Sequence, residues 1–347
     1  MNIEQMIDYY PQRPHLVILG AGASKDAMPN GDANGKPLPV MREFISALRL
    51  TDYIRRIEGV PKTDNIEDVY SWITDQENFA VERSVIEGII EEYFSNITLP
   101  DTLTKYDLLV LSLRQKDCIA TFNWDGLLVQ AYQRMRKITT NLPQLLFLHG
   151  NVEVGYCAKC RTYGYWFAKC HKCGERLKSV PLLYPIKHKN YQKDEFISEQ
   201  WKCLEDYIAK AALITIYGYG APKTDIEAIN IIKKAFARCG TPRFFETIEI
   251  IEHPEFDINN ISKAWLDLSE MARNHFEFRR SVFDSFMFQY PRRSLEFIHK
   301  NKIKTSWWDE PTIRFVQEDI NNDDKSALAT KLMPLLENEQ QDNFDVI

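Results

Sequence analysis

The prediction of the fold class rests first on the stretch HLVILGAGAS, residues 15–24. Its apolar run LVIL predicts a short buried strand, and Gly20 and Gly22 follow that strand directly. Glycines at the end of a strand allow a tight turn and let backbone N–H groups come close to an anion such as a pyrophosphate. The third glycine of the dinucleotide-binding pattern is missing, so this turn alone indicates a nucleotide site only weakly.

Outward from this stretch, short apolar runs alternate with amphipathic stretches, which is typical of a parallel sheet flanked by helices. Four further strands are predicted, at residues 118–123, 145–150, 213–218 and 246–253. Helical patterns occur near residues 40–57, 65–96, 101–115, 124–137, 194–211 and 223–238. We therefore predict an α/β fold with a Rossmann-like parallel sheet and a helical cap inserted at about 40–100. After residue 259 we expect helices and no strand.

The composition predicts a folded, cytoplasmic protein. Hydrophobic residues make up 44% and aromatic residues 12% of the 347 residues, which is enough for a packed core. No apolar run approaches the roughly 18 residues of a membrane span, and the N-terminal sequence lacks a signal-peptide pattern. The net charge of -6 argues against a protein that coats nucleic acid through a generally basic surface. Thiols stay reduced in the cytoplasm, so the seven cysteines are interpreted as metal ligands or core residues.

Four of the cysteines form two C-x-x-C pairs separated by nine residues, namely Cys157, Cys160, Cys170 and Cys173. Two such pairs can present four thiolates to one Zn²⁺ in a tetrahedral arrangement. Four thiolates leave no open coordination position, so a zinc ion held here would be structural. The alternatives are a redox pair or cysteines that lie in the core by chance. We predict a zinc ribbon over residues 153–180.

Polar residues also follow the next two predicted strands. Thr121-Phe-Asn123-Trp-Asp125 ends one of them, and Leu148-His149-Gly150 ends the other. Ligands of open α/β sheets bind at the carboxyl ends of the strands, so these motifs should converge with the glycine turn on one crevice. Taken singly, Asn123 or Asp125 is as well explained as a helix cap, and His149 as a structural residue.

In these motifs the chain resembles the sirtuin family. Sirtuins have a GAG-x-S turn after the first strand, then a T-x-N-x-D motif, a catalytic His-Gly and a four-cysteine zinc module. The same elements occur here in the same order, beginning with the turn from Gly20 to Ser24. Gly218 and Gly220 fall where sirtuins have a turn against the cofactor ribose. The resemblance covers roughly residues 12–255.

Two departures separate the chain from the protein-deacetylating sirtuins. The loop MPNGDANGKPLP, residues 28–39, replaces the GIPDFR stretch that shapes their nicotinamide pocket. The strand that grips an acyl-lysine peptide after the zinc module is not evident either. The chain is more similar to the divergent bacterial sirtuin-like proteins of anti-phage defence systems, which degrade NAD.

This resemblance implies an NAD hydrolase that produces nicotinamide and ADP-ribose. It implies that Asn123 positions the ribose and a water molecule, that Asp125 contacts the carboxamide or orients the loop, and that His149 acts as general base. The implied NAD-binding residues are Gly20, Ala21, Gly22, Ser24, Asp26, Thr121, Gly218 and Gly220. A protein deacylase or ADP-ribosyltransferase, and a non-catalytic nucleotide sensor or scaffold, remain as alternatives.

An unregulated NAD hydrolase would harm its own cell, so we expect its activity to be controlled through a homo-oligomer, a partner ATPase or a phage trigger protein.

The predicted domains are an NAD-binding domain at 1–257 and a helical region with an acidic tail at 258–347. Residues 157–193 contain nine Lys or Arg and a single acid, Glu175. This basic ribbon is either a solvated face or a surface for a partner or nucleic acid.

Overall fold

The computed structural model describes residues 2–185, 191–221, 225–237, 246–252, 275–306 and 313–341. In this part of the chain, six parallel strands form the central sheet in the order β3-β2-β1-β7-β8-β9. These strands are β1 His15–Leu19, β2 Cys118–Thr121, β3 Gln144–Phe147, β7 Leu213–Tyr217, β8 Thr247–Ile251 and β9 Phe276–Arg279. β1, β7 and β8 are buried along their whole length, as their apolar sequences predict.

The order of the strands places a topological switch point beside β1. From β1 the chain first moves outward through β2 to β3, and it then returns to add β7, β8 and β9 on the other side. In sheets of this kind the crevice at the switch point, outside the carboxyl ends of the strands, is where ligands bind. Here that crevice lies between the ends of β1 and β7, and the predicted Rossmann-like fold is confirmed.

The sixth strand corrects our expectation for the C-terminal part of the chain. Phe276–Arg279 pairs in parallel with β8, so the expectation of no strand after residue 259 is wrong. Its sequence, FEFR, alternates aromatic and charged residues because β9 is an edge strand and is only half buried. Such a short alternating segment lacks the continuous apolar run by which the other strands were predicted. The domain division at residue 257 stays a prediction.

Helices cover the sheet and form the inserted cap between β1 and β2. They are α1 Ile3–Tyr9, α2 Ala21–Ala27, α3 Phe44–Ala47, α4 Thr51–Ile54, α5 Ile66–Thr74, α6 Ala80–Ser95, α7 Lys105–Leu111, α8 Leu127–Met135, α9 Glu195–Lys210, α10 Ile226–Ala237, α11 Phe286–Gln289, α12 Ser294–Ile298, α13 Gln317–Asn321 and α14 Lys325–Gln341. None of the helices in the described ranges has the length and apolar character that a membrane span requires.

A second, smaller sheet is inserted between β3 and α9. It has three antiparallel strands in the order β5-β4-β6, with β4 Val154–Cys157, β5 Thr162–Tyr165 and β6 Lys178–Ser179. Cys157 ends β4, and the other three cysteines lie between the strands of this sheet. The position of this small sheet agrees with the ribbon predicted at 153–180.

Two glycine turns are in direct backbone contact at the switch point. The N–H of Gly22 donates to the carbonyl of Gly218 at 3.0 Å, and the N–H of Gly20 donates to the carbonyl of Tyr217 at 3.1 Å. A Cβ at Gly22 would lie 2.9 Å from the Cα of Gly218. Gly218 has φ of +63°, and a Cβ there would lie 2.1 Å from the nitrogen of Ala23. Side chains at these positions would separate the two turns.

One buried arginine links the C-terminal helix α14 to the segments that precede β2 and β3. Arg292 donates to both carboxylate oxygens of Glu339, at 2.7 and 2.6 Å. Its remaining guanidinium hydrogens go to the carbonyls of Leu111, Leu113 and Asn141, at 3.0, 2.9 and 2.8 Å. All five donors are therefore satisfied, which a buried guanidinium requires. The contact fixes the C-terminal helix against the segment that leads into β2.

Replacing Gly218 by alanine should destabilise the protein by at least about 2 kcal/mol, because the new methyl group overlaps backbone atoms and alanine disfavours a positive φ. Urea unfolding followed by circular dichroism measures this change. Gly220→Ala is the matched control: a Cβ at Gly220 would meet no atom of the described residues within 4 Å, so its effect should be under about 0.5 kcal/mol. Equal stability of the two variants would contradict the close contact between the turns.

Candidate active site

The side chains of Ser24, Asn123, Asp125 and Tyr106 meet in one hydrogen-bonded cluster at the ends of β1 and β2. Ser24 Oγ lies 2.8 Å from Asp125 Oδ2 and 2.8 Å from the hydroxyl of Tyr106. Asn123 Nδ2 lies 2.8 Å from Ser24 Oγ. All four residues are buried. Three of them come from the two sequence motifs, so the predicted convergence of those motifs is present in the fold.

The direction of each hydrogen bond in this cluster follows from the chemistry of its members. An ionised carboxylate only accepts, so Ser24 donates to Asp125, and the Ser24 oxygen then accepts from Asn123 and Tyr106. Asn123 Nδ2 also donates to the carbonyl of Gly20 at 2.9 Å, which fixes the orientation of the amide. Both amide hydrogens are therefore committed. Asn123 Oδ1, which bonds no other described group, is the polar atom left to accept from a ligand.

Asp125 is placed to orient the site. Its Oδ1 accepts from the backbone N–H of Leu127 at 3.2 Å, at the start of α8, and its Oδ2 accepts from Ser24. Its main-chain carbonyl accepts from Asn151 at 2.6 Å. Burial raises the pKa of Asp125 to about 6, and the hydrogen bonds from Ser24 and from backbone N–H groups oppose that shift. Of its two predicted roles, this geometry favours orienting the loop over contacting the carboxamide.

His149 lies among aromatic rings at the end of β3. Its ring packs edge-on against Phe122, with the centroids 4.8 Å apart, and its Nε2 lies 3.3 Å from the hydroxyl of Tyr191. Phe122 in turn stacks on Tyr219, with the centroids 4.1 Å apart. Tyr219 belongs to the turn after β7, so the aromatic rings link the predicted base to the second glycine turn. An apolar enclosure of this kind limits the access of bulk water.

Gly150 allows the chain that leaves the ribbon to cross close to His149. It has φ of +78°, and a Cβ there would lie 2.0 Å from the carbonyl oxygen of Pro181. Leu183 donates its N–H to the carbonyl of His149 at 2.9 Å. The segment that directly follows the ribbon is therefore hydrogen-bonded to the backbone of the predicted catalytic histidine.

The other predicted NAD-binding residues take structural roles in this fold. Asp26 accepts from Lys105 at 2.6 Å and from the hydroxyl of Tyr217. Thr121 is buried, and its hydroxyl accepts from the backbone N–H of Asn123 at 3.0 Å. The N–H groups of Gly20 and Gly22 donate to the carbonyls of Tyr217 and Gly218, so they are not available to a ligand. The two glycines instead allow the backbone to come close to one. A ligand role for these residues remains a prediction.

Ala21 and Gly220 lie at the same turns, Ala21 at the start of α2 and Gly220 two residues beyond Gly218. Some predicted features fall outside the described residues, namely 186–190 of the basic segment, 222–224 after the second turn and 342–347 of the acidic tail.

Four further residues of the site were missed by the sequence analysis: Tyr106, Asn151, Tyr191 and Tyr219. Asn151 directly follows His149-Gly150, and Tyr219 lies inside the predicted Gly-Tyr-Gly turn, so their position next to a motif could have identified both. Tyr106 and Tyr191 lie next to no motif in the sequence. α7 brings Tyr106 to the site from 82 residues beyond Ser24.

The four ribbon cysteines form a cluster with the geometry of a zinc site. Their sulfur atoms all lie within 4.8 Å of one another, and Sγ of Cys157 and Cys173 are 3.6 Å apart. A tetrahedral ion with Zn–S bonds of about 2.3 Å separates its ligands by a little under 4 Å. The donor set therefore fits Zn²⁺. Because all four ligands would be thiolates, the metal would hold the ribbon and would have no open position for a substrate.

No family model matches the chain, and no curated protein matches it. Among solved structures, the chain is similar to a mutant Sir2 homologue in complex with ADP-ribose, with 17% identity, 79% of this chain and 96% of the other covered, and a TM-score of 0.33. It is also similar to a Sir2 homologue in complex with NAD, with 14% identity, coverages of 86% and 95%, and a TM-score of 0.34.

A third similar structure, Sir2 bound to acetylated peptide, has 13% identity, coverages of 88% and 99%, and a TM-score of 0.32. Identities and TM-scores this low assign neither a family nor a reaction to the chain.

The raised pKa of Asp125 predicts a specific pH dependence of stability. Between the unfolded value of 3.8 and the folded value of about 6, the folded state holds a proton that the unfolded state has released. The free energy of unfolding should therefore fall as the pH rises through this window, by up to about 3 kcal/mol, relative to the Asp125→Asn variant. Urea unfolding at pH 4, 5, 6 and 7 measures the difference.

Asp64→Asn, which neutralises an exposed carboxylate, serves as the control for the loss of one negative charge. A stability difference between wild type and Asp125→Asn that stays constant from pH 4 to pH 7 would contradict the assignment to Asp125.

The ribbon should hold one zinc ion per chain. Cys170→Ser combined with Cys173→Ser removes half of the ligands and should abolish zinc binding, as measured by mass spectrometry of the purified protein. Cys203→Ser is the matched control, because Cys203 lies on α9 outside the cluster and should leave the zinc content unchanged. A chain that retains zinc after loss of both cysteines, or that never contains it, would contradict the prediction.

Proposed function

We propose that this protein is an NAD hydrolase that cleaves the nicotinamide–ribose bond of NAD. The observation that carries the proposal is the cluster of Ser24, Asn123 and Asp125 at the switch-point crevice, with His149 at the end of the neighbouring strand. These residues belong to three separate motifs that occur in the order found in sirtuins. Nucleotides bind α/β sheets at this position, outside the carboxyl ends of the strands.

In the proposed reaction, the bond between C1′ of the ribose and the nicotinamide nitrogen breaks, and the bonding electrons leave with nicotinamide. Positive charge develops on the ribose as an oxocarbenium-like species. A water molecule then adds to C1′ and loses one proton, which gives ADP-ribose. The enzyme must therefore orient one water molecule and one ribose, and it must accept or relay one proton.

Asn123 supports the orienting role because its Oδ1 is the open acceptor of the cluster. A carbonyl oxygen can accept a hydrogen bond from the attacking water or from a ribose hydroxyl. The hydrogen-bonded series from Asn123 through Ser24 to Asp125 holds that oxygen in one direction, so little freedom is lost when the substrate binds. In this proposal Asp125 and Ser24 are positioning residues.

His149 is proposed as the general base, since imidazole can exchange a proton near neutral pH. Its neighbours Phe122 and Tyr191 enclose the ring, and the hydroxyl of Tyr191 can set which ring nitrogen carries the proton. The pyrophosphate is proposed to lie against the turn from Gly20 to Ser24, and the adenosine side near Gly218 and Gly220. At Gly220 a Cβ would meet no atom of the described part of the chain within 4 Å, which supports this placement.

From the same motif resemblance we propose that the protein acts in the cytoplasm as an effector of an anti-phage defence system. Its activity would be restrained by a homo-oligomer and released by a partner ATPase or a phage trigger protein. The zinc ribbon is proposed as a structural Zn²⁺ site, and its basic face as the place to look for contact with a partner or with nucleic acid.

The test is turnover of NAD by the purified protein, with nicotinamide and ADP-ribose resolved by chromatography. Wild type should release the two products in equal amounts without any added peptide. Asn123→Ala and His149→Ala should each lower the rate at least about 100-fold, the size expected when an orienting group or a general base is lost. Asn96→Ala removes an exposed asparagine of the helical cap and should leave the rate unchanged.

Unfolding curves of the same variants separate loss of chemistry from loss of fold. Turnover that requires an acyl-lysine peptide, with O-acyl-ADP-ribose as product, would replace the hydrolase by a protein deacylase. NAD that binds saturably but is never cleaved would indicate a nucleotide sensor. Failure of the wild-type protein to bind NAD at all would reject the proposed site.

A further inference from the structure

A second pocket, with a volume of about 950 Å³, lies at the far edge of the central sheet. β9 and the short helices α11 and α12 form its walls, and none of the residues proposed to bind NAD lines it. β9 is three strands away from β1, whose end carries the glycine turn. Pockets that hold small molecules have volumes of roughly 300–1,000 Å³, so this one is large enough for a nucleotide.

The lining of this pocket is cationic although the chain as a whole is acidic. Four Lys or Arg and two acids line it, whereas the chain has a net charge of -6. Arg279 and Lys302 are already held by the carboxylate of Glu277. Arg280 and Arg314 are exposed and bond no carboxylate in the described part of the chain. Among the described residues these two guanidinium groups have no carboxylate partner, and their planar donors suit phosphate oxygens.

The pocket also presents flat aromatic surfaces beside these cations. Tyr290 and Phe297 stack face to face, with their centroids 3.6 Å apart and their planes 15° apart, and both are partly exposed. Lys302 lies 4.9 Å and Arg279 lies 5.2 Å from the centroid of Phe286. A parallel pair of rings at a pocket wall offers an apolar face on which a planar base can stack.

The wall of the pocket is built on the core of the sheet. Arg279 donates to the buried carboxylate of Glu249 at 3.2 Å, and the backbone N–H of Phe286 donates to the same oxygen at 3.0 Å. The other oxygen of Glu249 accepts from Thr215 on β7 at 3.0 Å. A carboxylate inside the sheet thus fixes both β9 and the start of α11. Because this wall is ordered in advance, a ligand does not need to organise it on binding.

We propose that this pocket is a second nucleotide site, which binds a phosphorylated nucleoside separately from the proposed NAD site. The base would stack at the Tyr290–Phe297 pair, and the phosphates would contact Arg280 and Arg314. Asp284, which is exposed at the same pocket, would accept from a ribose hydroxyl or an amino group of the base. The proposal does not depend on NAD hydrolysis, since it concerns binding at another place in the fold.

The test uses ADP as the probe and isothermal calorimetry on the full chain. Arg280→Gln combined with Arg314→Gln should weaken ADP binding at least about tenfold, because both phosphate contacts are lost. Arg293→Gln, a partly buried arginine that does not line the pocket, is the matched control and should bind ADP like wild type. Tyr290→Leu should weaken ADP but not inorganic pyrophosphate, because only ADP has a base to stack.

Because ADP can also enter the proposed NAD site, its position must be mapped directly. Photolabelling with 8-azido-ADP followed by peptide mass spectrometry should place label between residues 276 and 304, and the double arginine variant should lose that label. Label confined to other peptides, or ADP affinity unchanged in the double variant, would overturn the proposal. Both readouts measure binding, so a protein that fails to hydrolyse NAD would still give a clear answer.

Discussion

The architecture of the candidate site depends on the backbone contact between Gly22 and Gly218. This contact joins the turn after β1 to the turn after β7, the two strands between which the switch-point crevice lies. Without side chains at these positions the turns approach until their backbones form hydrogen bonds. The carbonyl of Gly20 is then in place to accept from Asn123. The glycine contact thereby sets the position of the residue proposed to orient the attacking water.

A second constraint runs outward from the buried carboxylate of Asp125. Because the carboxylate accepts from Ser24, and Ser24 must then accept from Asn123, the amide of Asn123 has only one orientation. Asn151 connects the backbone of this loop to the chain after His149. The two halves of the proposed catalytic apparatus are therefore hydrogen-bonded to each other. Burial of a carboxylate costs stability, which is often the case where a site is preorganised for function.

The ribbon, α14 and the edge strand β9 also contribute to the structure around the candidate site. The segment that follows the ribbon contacts the backbone of His149 through Leu183, so a zinc ion held by the ribbon would support the site through this segment. Arg292 holds α14 to the segment before β2. At the other edge, Glu249 anchors β9 and the pocket beside it. The C-terminal region is thus partly a continuation of the sheet, and a ligand at its pocket would touch a strand hydrogen-bonded to β8.

The amino-acid sequence is sufficient to predict the parallel sheet, the four-cysteine cluster and the convergence of Ser24, Asn123 and Asp125. These features follow from patterns within a few residues and from the rule that strand ends share one edge. The strand at 276–279, the place of Tyr106 in the cluster and the pocket at β9 become visible only in the folded chain. Each of these depends on residues far apart in the chain; Tyr106 and Ser24, for example, are 82 residues apart. Local patterns carry no information about such contacts, since packing alone brings these residues together.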